Sequence, residues 1–165
     1  DALIHKMTDL QWDLCIGISL KGTFNCIRSA SKYMRKEGHG GKIINISSVA
    51  GLMGNVGQVN YSAAKAGILG ITKTVAREWA RFGVKCNAIA YGFVQTRMTQ
   101  EKELGEEVSG EVYGIPKKVR DSMVAQAGGT MLTAEDAAKP VLFLASPDSD
   151  FITGQVLNVS GGMYI

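Results

Sequence analysis

The chain has 165 residues, 45% of them hydrophobic and 20% charged, and a net charge of +3 at neutral pH. That length carries one domain with its own core. The charge is too small and too dispersed for a nucleic-acid surface, and no apolar run approaches the roughly 18 residues of a membrane span. Three cysteines, Cys15, Cys26 and Cys86, match no metal spacing. On one helix Cys15 and Cys26 stand roughly 16 Å apart, too far for a disulfide. Buried free thiols in a reducing compartment, the cytoplasm, are the expected state. His5 and His39 lie far apart among polar residues and are assigned no catalytic or metal role.

In chain order, Thr8 caps a predicted helix, with Gln11 at capping-box spacing. The helix runs to about Lys36. Leu10, Leu14, Ile18, Phe24, Ile27, Ala30 and Met34 recur at helical steps, apart from one wider gap. Gly17 and Gly22 weaken its middle and predict a bend; Gly38-His39-Gly40-Gly41 ends it. Lys42 to Ser47 is a short, mostly apolar strand, suited to a sheet covered on both faces. Val49 to Val59 reads as a loop. Its Gly51, Gly54 and Gly57 lack the dinucleotide spacing, which needs a helix opening at the glycines, so they read as loop flexibility near a substrate. The next helix spans about Tyr61 to Phe82 and stops at Gly83. Its Ala63, Ala64, Ala66, Gly67 and Gly70 let another backbone come close. Val84 to Ala90 is the second strand, and strand–helix–strand order implies parallel pairing.

Thr96 to Ala127 is the least regular stretch. Glu101, Glu103, Glu106, Glu107 and Glu111 precede Lys117, Lys118 and Arg120, with Gly105, Gly110, Gly114 and Pro116 between. It reads as a solvated excursion, a lid over a substrate, or both. Thr133 to about Ala145 is a helix in which Pro140 predicts a bend or a shifted start. Gln155 to Val159 is a last strand and Gly161-Gly162 a turn.

The chemistry concentrates at Asn60-Tyr61-Ser62-Ala63-Ala64-Lys65. Tyr61 and Lys65 are four residues apart and share a helix face, about 5–6 Å between Cβ atoms. Free tyrosine titrates near ~10. A neighbouring ammonium is expected to lower that value and make the phenol a proton donor or acceptor near neutral pH. Ser48, at the end of the first strand, offers a hydroxyl to the same substrate oxygen.

Four runs, Asn45-Ile46-Ser47-Ser48-Val49-Ala50-Gly51, Tyr61 to Gly67, Asn87 to Thr96, and Ile152-Thr153-Gly154-Gln155, resemble the short-chain dehydrogenase/reductase family over nearly the whole chain. The resemblance implies an α/β fold: a partial Rossmann-like doubly wound parallel sheet lacking the N-terminal nucleotide-binding half. Residues 1–165 would form a single such domain with a lid-like excursion at 96–127. The implied activity is NAD(P)-dependent hydride transfer between nicotinamide, from NADP or NAD, and a carbonyl or alcohol carbon. Tyr61 matches the tyrosine that protonates the carbonyl oxygen. Lys65 matches the lysine that lowers the tyrosine pKa and binds nicotinamide ribose, and Ser48 the serine that orients the substrate oxygen. Gly92, Val94 and Thr96 match the segment contacting the nicotinamide carboxamide; a core position for Val94 and a helix cap at Thr96 are compatible with that contact.

Two positions depart from the family pattern. Ser19 stands where the family often has an Asn supporting a water-linked proton relay, so slower chemistry is implied. Tyr91 stands where Pro normally fixes φ near −65°, which implies a looser nicotinamide loop. Asp1-Ala2-Leu3 reads like the residues just after the family's Asn-Asn-Ala-Gly segment. The Gly-rich turn and the ribose selector are not in the sequence, which implies weak cofactor binding and an open edge on the first strand. The helices headed by Thr8 and Tyr61 match those that pair subunits, implying a homodimer or homotetramer. Leu20 to Phe24 and Gly57 to Tyr61 look most like 3-oxoacyl-[acyl-carrier-protein] reductases, and so imply a small-molecule carbonyl/alcohol or acyl-carrier-bound substrate. Two other readings stay open: a truncated, non-catalytic oligomerising paralogue, and a lyase or epimerase using the same Tyr-Lys pair.

Overall fold

The structure is a computed structural model describing residues 1–36, 39–105, 107–108 and 110–165. Gly38 and Glu106, assigned above to a helix terminator and an acidic run, lie outside them. The elements are α1 (Asp9–Cys15), a π-helical stretch (Ile16–Lys21), α2 (Gly22–Met34), β1 (Gly41–Ser48), α3 (Ala50–Met53), α4 (Val59–Trp79), β2 (Val84–Tyr91), β3 (Glu107–Val108), β4 (Glu111–Val112), α5 (Lys117–Gln126), α6 (Ala134–Ala145) and β5 (Val156–Val159).

Thr8 opens the helical run with a reciprocal cap. Its hydroxyl accepts from the Gln11 amide at 3.2 Å, and Gln11 Oε1 accepts from the Thr8 amide at 3.0 Å. Where Gly17 and Gly22 predict a bend, the helix widens into π turns instead. Glycine eases that departure from α geometry. The run ends at Met34, short of the expected Lys36. Its apolar series divides: Ile27 is buried, whereas Leu10, Leu14, Ile18 and Phe24 stay exposed.

Alternation along β1 decides what each helix meets. Asn45 and Ser47 bond to α4, and Ile43 packs on the core cluster. Lys42 points the other way, to the residues after α6, where Nζ meets Ser149 Oγ and an Asp150 carboxylate oxygen, both at 2.8 Å. β2 lies parallel to β1 and β5 parallel to β2, in the order β1-β2-β5. With α4 on one face and α6 on the other, this is the layering of a doubly wound sheet. The core joins Ile27 of α2, Val75, Ala76 and Trp79 of α4, and Val84 and Cys86 of β2. Burial of each large aliphatic there, as of the nearby Ile68 and Ile89, contributes about 1.5–3 kcal/mol.

Several expectations need correction. The segment Val49 to Val59 is not all loop, because α3 occupies its first part. Gly51 serves packing and not flexibility: a Cβ there would lie 2.7 Å from the Lys65 carbonyl carbon. α4 begins at Val59, which places Tyr61 in its first turn; past Trp79 it tightens into a 3-10 turn closed by Gly83 at φ 75°. The 96–127 excursion is more regular than expected, with two 3-10 turns, a short antiparallel pair β3–β4, and α5. Pro140 lies inside α6 without shifting its start: Thr133 Oγ1 accepts from the Asp136 amide at 3.1 Å and caps the helix at Ala134. The helix forgoes one i→i−4 bond there. Of the cysteines only Cys86 is buried; Cys15 is half-buried and Cys26 exposed.

Candidate active site

β1 and β2 end side by side. Ser48 is opposite Tyr91 in the register, and the Val49 amide donates to the Tyr91 carbonyl at 2.9 Å. The carboxyl ends of parallel strands are where open α/β sheets take their ligands. α4 starts at the same end. Its buried Asn60 donates to the Gln11 carbonyl at 2.9 Å and accepts from the Tyr61 amide at 2.8 Å. That bond fixes the first turn of α4 on α1. Tyr61 and Lys65 then follow one turn apart, with Lys65 Nζ 5.5 Å from the Tyr61 ring centroid. Nζ itself donates to the Ile46 carbonyl at 3.0 Å.

Ser48 Oγ accepts from the Ala50 amide at 3.2 Å. That amide takes one of the two hydroxyl lone pairs and leaves the O–H able to donate. The Tyr61 phenol sits above its ordinary pKa of 10.0: burial disfavours the phenolate, the Ser48 hydroxyl pulls the value back, and Cys15 adds a push upward. Lys65 is lowered from 10.5 by burial, with Cys15 opposing. The expected depression of Tyr61 by Lys65 is therefore absent. Burial has the largest influence on the phenol, and the ammonium is turned toward a backbone carbonyl.

The structure brings Ser48, Tyr61 and Lys65 together. Ser19 lies in the π stretch and lines, with Lys65, Thr23 and Ile46, a groove of about 540 Å³. Its carbonyl accepts from Thr23 Oγ1 at 2.8 Å. Gly92 follows β2 directly; a Cβ there would lie 2.8 Å from Ser160 Cα, so the C-terminal segment itself demands glycine. Val94 is half-buried, bridges Leu132 and accepts from Thr99 Oγ1 at 2.6 Å through its carbonyl. Thr96 is exposed and caps the turn Arg97–Thr99. Tyr91 does not leave its loop unrestrained, since its hydroxyl donates to the Ala137 carbonyl and fastens the strand end to α6. Sequence reasoning named Asn60, Gly51 and Ser47 but missed what each holds; the Ser47 hydroxyl donates to the Lys65 carbonyl at 2.8 Å. The Ser47-Ser48 pair carried the signal, because alternation sends neighbours to opposite faces.

An ammonium and a phenol thus share one helix face beside the carboxyl ends of two parallel strands. Among known proteins, the family model described as enoyl-(acyl carrier protein) reductase matches residues 1–164. The chain is 42% identical to the (3R)-3-hydroxyacyl-CoA dehydrogenase of Rattus norvegicus over 100% of its own length and 59% of that protein. It is 40% identical to the 3-oxoacyl-[acyl-carrier-protein] reductase FabG of Thermotoga maritima, over 100% of its length and 62% of that protein. It is 43% identical to the acetoacetyl-CoA reductase of Rhizobium meliloti, over 99% of its length and 63% of that protein. The chain thus spans about three fifths of the length of the curated relatives it matches.

Proposed function

The chain belongs to the short-chain dehydrogenase/reductase family, and on that premise we propose that it carries the proton-transfer site of an NAD(P)-dependent carbonyl reductase or alcohol dehydrogenase. The single observation behind this reading is the grouping of Ser48, Tyr61 and Lys65 at the carboxyl ends of β1 and β2. A bound nicotinamide cofactor, NADP or NAD, supplies or accepts the hydride.

The residues do the rest. With its pKa raised, Tyr61 is a protonated phenol at neutral pH and donates that proton to the carbonyl oxygen during reduction. The Ser48 hydroxyl, one lone pair of which accepts from the Ala50 amide, donates a hydrogen bond to the same oxygen. Lys65 places a positive charge beside the phenolate that forms, and its remaining N–H donors would hold the ribose of a bound cofactor. In the oxidative direction Tyr61 must first lose its proton, so alcohol oxidation rises toward alkaline pH while carbonyl reduction holds until Tyr61 ionises.

The relatives' names point to 3-oxoacyl or 3-hydroxyacyl thioesters, carried on coenzyme A or an acyl carrier protein. The exposed Leu10, Leu14 and Ile18 of the first helical run favour a homodimer or homotetramer. The free cysteines suit a reducing, cytoplasmic setting. Among the described residues no helix is long and apolar enough to cross a membrane.

Fluorescence titration of NADH and NADPH into the full-length protein, followed by turnover of acetoacetyl-CoA, tests the reading. Tyr61→Phe is expected to lower turnover by about 100-fold or more with nucleotide binding retained. Near-normal turnover in that variant overturns the mechanism.

A further inference from the structure

Ser48 has to meet Tyr61 and Lys65 across a boundary between a strand and a helix, and the contacts at that boundary converge on one peptide group. Ser47, buried on the α4 face of β1, donates its hydroxyl to the Lys65 carbonyl at 2.8 Å. From the far side of Ser48, Gly51 of α3 presses on the same place: an added Cβ would lie 2.7 Å from Lys65 C and 2.8 Å from Ala66 N. The Lys65–Ala66 peptide is therefore bonded at its oxygen by the residue before Ser48, and approached by the residue three after it closely enough to exclude a side chain there. The Lys65 carbonyl already belongs to the α4 backbone ladder, so the Ser47 bond is an addition to it and not a rescue of an unpaired group.

We propose that Ser47 and Gly51 are positioning residues that set the distance between the Ser48 hydroxyl and the Tyr61–Lys65 face of α4. This rests on the reading of Ser48, Tyr61 and Lys65 as the proton-transfer site. Neither residue touches the reacting atoms. Ser47 fixes how far α4 slides along β1; Gly51 fixes how closely α3 approaches α4. Both act through Lys65's own backbone. A displacement of about 1 Å in such a constellation can cost about 100-fold in rate.

The test is steady-state kinetics of the full-length protein with acetoacetyl-CoA, comparing Ser47→Ala, Ser47→Thr, Gly51→Ala and the Ser47→Ala/Gly51→Ala double variant, with Tyr61→Phe alongside. For Ser47→Ala, kcat is expected to fall about tenfold while KM and nucleotide affinity stay within about twofold, the signature of an interaction felt in the transition state. Ser47→Thr, which keeps the hydroxyl, is expected to return kcat to within about threefold of the parent. The double variant is expected to lose less than the product of the single losses, because both act on one peptide. A Ser47→Ala enzyme with unchanged kcat, or multiplicative losses in the double variant, overturns the positioning role. If Tyr61→Phe is inactive while Ser47→Ala is fully active, the positioning role falls and the proton-transfer reading stands. If Tyr61→Phe keeps near-normal turnover, that reading falls and takes the positioning role with it.

Discussion

Around Lys65 the chain is held by hydrogen bonds from buried side chains, and around Glu101 by ion pairs. In the first region Ser47 and Asn60 bond backbone carbonyls and Asn45 bonds the Thr72 hydroxyl, over a core of Ile68, Val75 and Trp79. In the second, Glu101 accepts from Lys117 at 3.2 Å and lies 3.5 Å from Arg120, while Lys117 also meets Asp121 at 3.4 Å. Two backbone bonds between Gln100, Lys102 and Ile115 complete that clasp. Low dielectric makes each bond of the first kind geometrically demanding and costly to break, whereas exposed ion pairs are weak and salt-sensitive. The candidate site thus rests on buried hydrogen bonds, and the 101–121 segment on ion pairs.

Truncating the rigid side should give the largest effect. Ile68→Ala, at 1% exposure, is expected to cost about 2–5 kcal/mol in denaturant unfolding; a loss near that of a surface site would break the contrast. Next comes pH. Burial pushes the Cys86 thiol up from 9.0 to about 12. Between those values the folded chain holds a proton that the unfolded chain has released, so stability falls as pH rises, by up to about 1.4 kcal/mol per pH unit. Cys86→Ala should flatten that slope in paired unfolding titrations, and an identical slope would remove the assignment. The smallest effect belongs to the surface clasp. Glu101→Gln is expected to change stability by about 1 kcal/mol or less, yet to speed amide exchange at Lys102 and Ile115 several-fold. The amides of Cys86 and Ala88 should not respond, and a parallel response there would mean the two regions open together.

The same contrast decides what could be read from the sequence. The Thr8 cap, the strands β1 and β2, the Gly83 stop and the shared helix face of Tyr61 and Lys65 follow from local pattern, because apolar period and capping chemistry are written within a few residues, whereas the family resemblance joined Ser48 to them. α5 was hidden: Lys117 to Gln126 is mostly polar, with no apolar stripe, and only Pro116 ahead of it marks a helix start. The sign of the Tyr61 shift was hidden too. Residue spacing shows that Lys65 is near, but burial depends on what α1 and β1 place around the phenol. Tyr91 gave the same lesson in reverse. The missing proline was visible, whereas the hydroxyl anchor on Ala137 required knowing where α6 lies.

The carbonyl that Lys65 holds has a consequence of its own. Val49 turns its amide toward β2, so by the parity of a strand the Ile46 carbonyl faces away from β2, on the side of β1 where no described strand lies. That carbonyl has two lone pairs, so a backbone N–H pairing along that side would share it with the ammonium, as the Lys65 carbonyl shares its own oxygen between helix and Ser47. A strand laid on this margin would then lie one acceptor away from the Lys65 charge.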